Sequence, residues 1–217
     1  FADILIDIAE KYRAPGKTLL LIGTNDLYVR LIIENAKILR EHYVFNYITE
    51  DLMNQLQVKA NFYELCKVHG IETPTTFFYD CKSAEPFEEE MMYPIIIKPS
   101  NGIEYSRNKF EGQQKVYKVD SPKEMHNVIQ QIKASGYSDE LIIQDYIPGD
   151  DTFMWDSVIY ANSKGKTQLV TFAQVVLQEH TVTAIGNYTA LITRFDKEMM
   201  VKLQNFLEAV GYTGFAN

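Results

Sequence analysis

Apolar residues recur along this chain in two rhythms, one helical and one of short uninterrupted runs, separated by turn residues. Ile4, Leu5, Ile8, Ala9 and Tyr12 share one helical face, and the pattern stops before Pro15-Gly16. Residues 18–22 form a strand-length apolar run and read as a buried strand. Gly23-Thr24-Asn25-Asp26 supplies turn and capping chemistry, residues 27–39 are apolar at helical spacing, and residues 44–48 read as a second strand. Residues 58–69 predict a helix with Phe62, Leu65 and Cys66 on one face, ended by Gly70, a residue suited to a left-handed cap.

Further on, residues 75–79 and 94–98 read as strands, the second ending in Lys98-Pro99. Ser121-Pro122-Lys123-Glu124 predicts a helix start: serine as N-cap, proline at the first position, and glutamate closing a capping box. That helix runs to Ser135 and stops at Gly136. Residues 141–145, 156–160, 167–177 and 188–192 have strand character, with turn residues at 162–165. A last helix at 197–210 stops at Gly211, and residues 213–216 begin another strand. The sum is an α+β chain with a largely antiparallel centre and no internal repeat.

Hydrophobic residues make up 46 % of the 217 positions and charged residues 23 %, which is enough to bury a sizeable core. The formal charge of -8 sets the surface against nucleic-acid phosphates and anionic membranes, so neither is an expected partner. The apolar runs are far too short to span a bilayer. Cys66 and Cys81, the two cysteines, build neither a disulfide framework nor a zinc site, which fits a reducing, cytoplasmic setting. The chain opens on Phe1, and two strands in residues 1–53 are few for a doubly wound sheet. Both features suggest further sequence upstream.

Several motifs fail on inspection. Gly16-Lys17-Thr18 looks like the end of a P-loop, but Lys11 stands where the first glycine belongs and a strand follows where a helix is required. His42, His69, His126 and His180 show no metal-ligand spacing, and no metal ligands are assigned in the chain. Two lysines and one turn remain. Lys59 opens a helix. Lys98 ends an apolar strand, where it either extends its ammonium to the surface or meets an anion. Gln144-Asp145-Tyr146-Ile147-Pro148-Gly149-Asp150-Asp151 is a strand running into a turn. It reads either as an ordinary acidic turn or as backbone and polar groups for an adenine edge and a ribose.

The order of these features resembles the ATP-grasp superfamily: lysine on a helix before Gly70-Ile71-Glu72-Thr73-Pro74, lysine after Tyr93-Pro94, then Ile147-Pro148-Gly149-Asp150-Asp151. Ile97-Lys98-Pro99-Ser100, Phe110-Glu111-Gly112, the eight-residue turn, Gly186-Asn187-Tyr188 and Gly211-Tyr212-Thr213-Gly214-Phe215-Ala216-Asn217 are similar to the D-aspartate ligases in particular. The resemblance implies an ATP-grasp fold, two α+β subdomains enclosing ATP, preceded by part of an α/β domain. Residues 1–53 would be the remainder of that domain, 54–145 the first subdomain and 146–217 the second, truncated.

It also implies roles. Lys59 and Lys98 would hold the phosphates, Gln144, Asp145 and Ile147 would read adenine, and Asp151 would take the ribose. Residues 100–112 would be a mobile loop over the triphosphate. This loop departs from the pattern, with only Gly102 and Gly112 and with Arg107 and Lys109 in basic positions. The acceptor pocket would be lined near Gln178-Glu179-His180 and Gly186-Asn187-Tyr188. Magnesium ligands would lie beyond Asn217, which stands where relatives carry an arginine that steadies an acyl-phosphate, with Arg194 as a substitute. The implied reaction joins a carboxylate, D-aspartate, to the lysine amine of a peptidoglycan precursor at the expense of ATP. A sister ATP-grasp activity (carbamoyl-phosphate synthesis or amino-acid ligation) and a non-catalytic nucleotide-binding module are the rivals. If Asp151 meets the ribose, Asp151→Asn weakens ATP more than 2′-deoxy-ATP in calorimetry; equal losses remove the contact.

Overall fold

The computed structural model describes residues 1–181 and 184–217, the side chain of Ile103 excepted. Two compact units emerge, each assembled from separated stretches of chain. The first comprises Phe1–Ile71, Asp156–Phe172 and Phe195–Asn217, and the second Glu72–Trp155 and Ala173–Arg194. The motif order along the sequence divides the chain contiguously instead, at 53 and 145.

In the first unit, α1 (Ala2–Tyr12) is followed by α2 (Asp26–Glu34), α3 (Ala36–Leu39), α4 (Glu50–Gln57) and α5 (Lys59–Val68). Asn25 caps α2 by accepting from the Tyr28 amide at 3.0 Å. The helical run expected over 27–39 breaks at Asn35. Its side chain turns back to the Leu31 carbonyl at 2.8 Å, an alternative partner of the kind that disfavours asparagine inside helices. The two strands expected near 20 and 46 reduce to one parallel bridge, Leu20 to Val44. Leu19 and Leu21 pack with Ala9, Ile32, Leu39, Tyr43 and Phe45, whereas Leu20 and Ile22 are exposed. An apolar run is buried on both faces only if a layer covers each face, which the run itself does not reveal. The helix α4 leaves little apolar signal in the sequence, because its composition is mostly polar and Met53 is its one buried residue.

A second core of this unit gathers Cys66 of α5, Ile159 of β5 (Trp155–Ala161), and Phe206 and Leu207 of α8 (Lys197–Ala209). The strand β8 (Gly214–Ala216) pairs antiparallel with β5, Ala161 facing Gly214. On the other side of β5 runs the first part of β6 (Thr167–Gln178). Gly214 has a φ of 94°, and a Cβ there would run into the Asn46 carbonyl oxygen. Asn46 itself donates to the Ala161 carbonyl at 2.8 Å. Glu208 ties α8 to the β5–β6 turn: it accepts from Lys166 at 2.9 Å and from the Thr167 amide at 3.0 Å. The Lys166 ammonium, then the Thr167 amide, hold its carboxyl down at about 2.

The second unit is built on an antiparallel sheet of β1 (Thr76–Asp80), β4 (Glu140–Asp145), β2 (Ile95–Pro99) and β3 (Tyr117–Val119), in that spatial order. The helix α7 (Pro122–Ala134) supplies Met125, Val128, Ile129 and Ile132 to a core shared with Ile95, Ile97, Leu141 and Ile143. Its start keeps half of the expected box: Ser121 accepts from the Glu124 amide at 3.3 Å, while Glu124 reaches past the cap to accept from the Asp120 amide at 2.9 Å. The segment expected to be a phosphate-covering loop contains a short helix, α6 (Gly102–Arg107). Tyr105 anchors it in the core. Its hydroxyl donates to the Gln114 carbonyl at 3.0 Å and lies 2.7 Å from that of Tyr117, and burial drives its phenol far above the ordinary range. The rest of β6 pairs with β7 (Tyr188–Thr193). No described helix is long and apolar enough to cross a membrane.

Two stability measurements probe the first unit. Gly214→Ala has to displace the Asn46 backbone and adopt a strained φ, and should cost about 2–4 kcal/mol in denaturant unfolding. Glu208 has a depressed folded pKa, so its contribution is full above the unfolded carboxylate value near 4.3 and fades as pH falls towards 2. Glu208→Gln should therefore unfold more easily than the parent at pH 7, with the gap closing by pH 2.

Candidate nucleotide-binding site

Strand pairing places a polar group of side chains on the face of the second unit's sheet that α7 does not cover. Residues directly opposite one another share a face. Ile143 and Leu141 of β4 therefore point to the α7 core, while Gln144 and Ile142 point away from it with their partners Thr76, Phe78, Ile96 and Lys98. On this second face the Lys98 ammonium donates to the Gln144 side-chain oxygen at 2.7 Å. The Gln144 amide donates in turn to the Thr76 hydroxyl at 3.1 Å, which donates to the Pro74 carbonyl at 2.8 Å. Lys98 is half-buried and Gln144 is 7 % exposed. The ammonium thus stays beside the sheet, within hydrogen-bond reach of the Gln144 side chain.

Gln144 is accordingly engaged with Lys98 and Thr76 rather than presented as an open amide. The Asp145 amide donates to the Thr75 carbonyl at 3.0 Å, extending the sheet by one residue. Ile147, two residues on, is exposed, and its amide makes no hydrogen bond among the described residues. It is an open main-chain donor at the sheet's exit, as an adenine edge requires. Gly149 then takes a φ of 141°, and the Phe153 ring packs against it where a side chain would stand. This turns the chain into a short 3-10 helix, Asp151–Phe153.

The Asp151 carboxylate is engaged on both oxygens. One oxygen accepts from the Gln178 amide at 2.9 Å and from His180 Nε2 at 2.9 Å; the other accepts from Gln178 Nε2 at 2.7 Å. The Gln178 amide, with His180 and the Gln178 side chain, holds the carboxyl below its usual range against the opposing effect of burial. Neither partner was legible as such, because no local spacing connects residues 27 and 29 positions apart.

Lys98, Gln144, Asp145, Ile147, Asp151 and Arg194 belong to the second unit; Lys59 and Asn217 belong to the first. Lys59 is exposed at the first position of α5, and Val58 provides no side-chain cap there. A cation at a helix N-terminus opposes the macrodipole by a few tenths of a kcal/mol, so helix stability does not account for it. Arg194 is exposed one residue beyond β7. Asn217 lines a cavity of about 700 Å³ in the first unit, together with Gly23, Thr24, Asn25, Asp26 and Tyr47. Arg107 is exposed and pairs with Glu104 at 3.6 Å. Among the described residues no group of three or more His, Cys, Asp or Glu side chains could hold a metal ion.

No known family profile matches the chain. The whole chain aligns with a D-aspartate ligase of Enterococcus faecium, 30 % identical over 226 residues, and spans about half of that relative, 53 %. Among solved structures, an L-amino acid ligase from Bacillus licheniformis superposes on 96 % of the chain with a TM-score of 0.62, at 13 % identity and over 45 % of its own length. A D-alanine–D-alanine ligase from Bacillus anthracis, solved with ATP, superposes on 97 % of the chain with a TM-score of 0.58, at 14 % identity and over 66 % of its length. The chain has the fold of the ATP-grasp ligases.

If the Lys98–Gln144–Thr76 face receives a polyphosphate, Lys98 is a cation already in place for it. Lys98→Ala should weaken ATP binding in calorimetry by roughly 10- to 100-fold, the range for losing a charge-assisted hydrogen bond. Unfolding should change little, and unchanged ATP affinity would remove Lys98 from the site.

Proposed function

We propose that the chain is the nucleotide-handling part of an ATP-dependent carboxylate–amine ligase, D-aspartate ligase-like, acting on a peptidoglycan precursor. The observation that carries this is the placement of Lys98 on the sheet face away from the α7 core, next to a strand exit that presents the open Ile147 amide and the Asp151 carboxylate. The likeness of the whole chain to about half of a D-aspartate ligase supports the choice of substrate class.

In the proposed reaction Lys98 and Lys59 neutralise the polyphosphate, with Arg107 and Lys109 as further cations over it. The main chain of Asp145 and Ile147 meets adenine, and Asp151 accepts from the ribose. A carboxylate oxygen of the amino acid attacks the γ-phosphorus of ATP, and ADP leaves. The amine of the acceptor then attacks the acyl-phosphate carbonyl, phosphate departs with the bonding electron pair, and the amine proton is lost to solvent or a base, leaving an amide. The protein contributes positioning and charge neutralisation, which dominate phosphoryl transfer. Exclusion of water protects the acyl-phosphate. Arg194 and Asn217 are the residues proposed to face it. Magnesium is expected with ATP, but no step is assigned to it on the described residues. The need for ATP and a nascent cell-wall precursor sets the reaction in the cytoplasm.

The test is ADP release by the full-length protein with magnesium ATP, a panel of D- and L-amino acids, and a lysine-containing muropeptide. Release should require D-aspartate and the muropeptide together. Release with a different carboxylate would move the protein to a sister ligase activity, and ATP binding without release for any pair would favour a non-catalytic module.

A further inference from the structure

The Asp151 carboxylate offers four in-plane acceptor positions, and three are already taken from within the protein. All three donors come from the end of β6 and the residue two beyond it. The turn that carries Asp151 is itself fastened to the same strand. Gln174 Nε2 donates to the Thr152 carbonyl at 2.8 Å, and the Val175 amide to the Met154 carbonyl at 2.9 Å. Asp150 closes the turn from within by accepting from the Thr152 amide at 2.9 Å. The turn is therefore fixed without Gln178 and His180. What those two residues add is control of the carboxylate's direction.

We propose that Gln178 and His180 are positioning residues that clamp Asp151 in one orientation, leaving a single acceptor position open for one ribose hydroxyl. The inference rests on the reading of Asp151 as the ribose ligand. An unclamped aspartate rotates among staggered conformers and is solvated in each, so a hydroxyl that binds it also has to restrict it. A clamped one is preorganised, and the ordering cost falls outside the binding step. The donor types fit this role. The Gln178 main-chain amide is itself held by the strand, where Gln178 pairs with Tyr188, and the imidazole reaches the same oxygen from two residues further along. The His180 side chain is 60 % exposed, so its place in the fold does not require it.

A positioning residue acts through its target, and this makes the test a double-variant cycle on ATP affinity, measured by calorimetry in the full-length protein. His180→Ala should weaken ATP roughly three- to tenfold, and His180→Gln, which keeps a donor, should recover part of the loss. Gln178→Ala should produce a loss of similar size. In an Asp151→Ala background, His180→Ala should cause no further loss. Losses that multiply in the double variant, or a His180→Ala that binds like the parent while Asp151→Ala is weakened, would overturn the clamp and leave Asp151 as the ribose ligand. An Asp151→Ala that binds ATP like the parent would overturn the ribose reading and the clamp together.

Discussion

The register of β4 between β1 and β2 is the constraint on which the second unit and its candidate site depend. Hydrogen-bonded on both edges, β4 sends Leu141 and Ile143 into the α7 core and Ile142 and Gln144 to the opposite face. Each core side chain contributes about 1.5–3 kcal/mol by leaving water. A slip of one residue would exchange the two faces, burying Gln144 against α7 and turning Leu141 and Ile143 outwards. The apolar residues thus determine where the polar ones stand. Lys98 faces Gln144 because Ile95 and Ile97 have to face the core.

The same strand sets the course of the chain beyond it. After Asp145 the pairing ends, and the chain leaves as an exposed segment whose Ile147 amide is open. Gly149 allows the Phe153 ring to close over the main chain, and the short helical turn brings Asp151 to the end of β6. Within one unit, then, a cation, an open main-chain donor and an oriented carboxylate stand on neighbouring strands and the exit from one of them. Those are the three kinds of group a nucleotide needs: charge for phosphate, an edge for the base, an acceptor for the sugar.

The remaining cations are arranged differently. Lys59 sits where helix stability argues against it, at the uncapped start of α5, and Arg107 stands in solvent on α6. Tyr105, on the same short helix, is held by Tyr117 and Gln114 in the core. Tyr105 thus roots α6 in the core of the sheet, while Arg107 on the same short helix is exposed and paired with Glu104.

Local chemistry in the sequence was enough to specify much of this protein. The Ser121 cap, the strands around Ile97 and Ile143, and the final helix ending at Gly211 were legible, because capping, turn formation and apolar period act within a few residues. Lys98 and Asp151 are candidate positions through the order of motifs along the chain, which is a resemblance and not a local physical rule. Tertiary structure alone decided the rest. It decided that residues 18–22 are covered on one face, that Asn35 divides a helix, that Gln144 is engaged by Lys98 and Thr76, and that Gln178 and His180 meet Asp151. These outcomes join residues tens of positions apart or depend on which layer lies against a face. A local pattern states what a side chain can do, while its partner is selected only when the sheet's register brings distant stretches together.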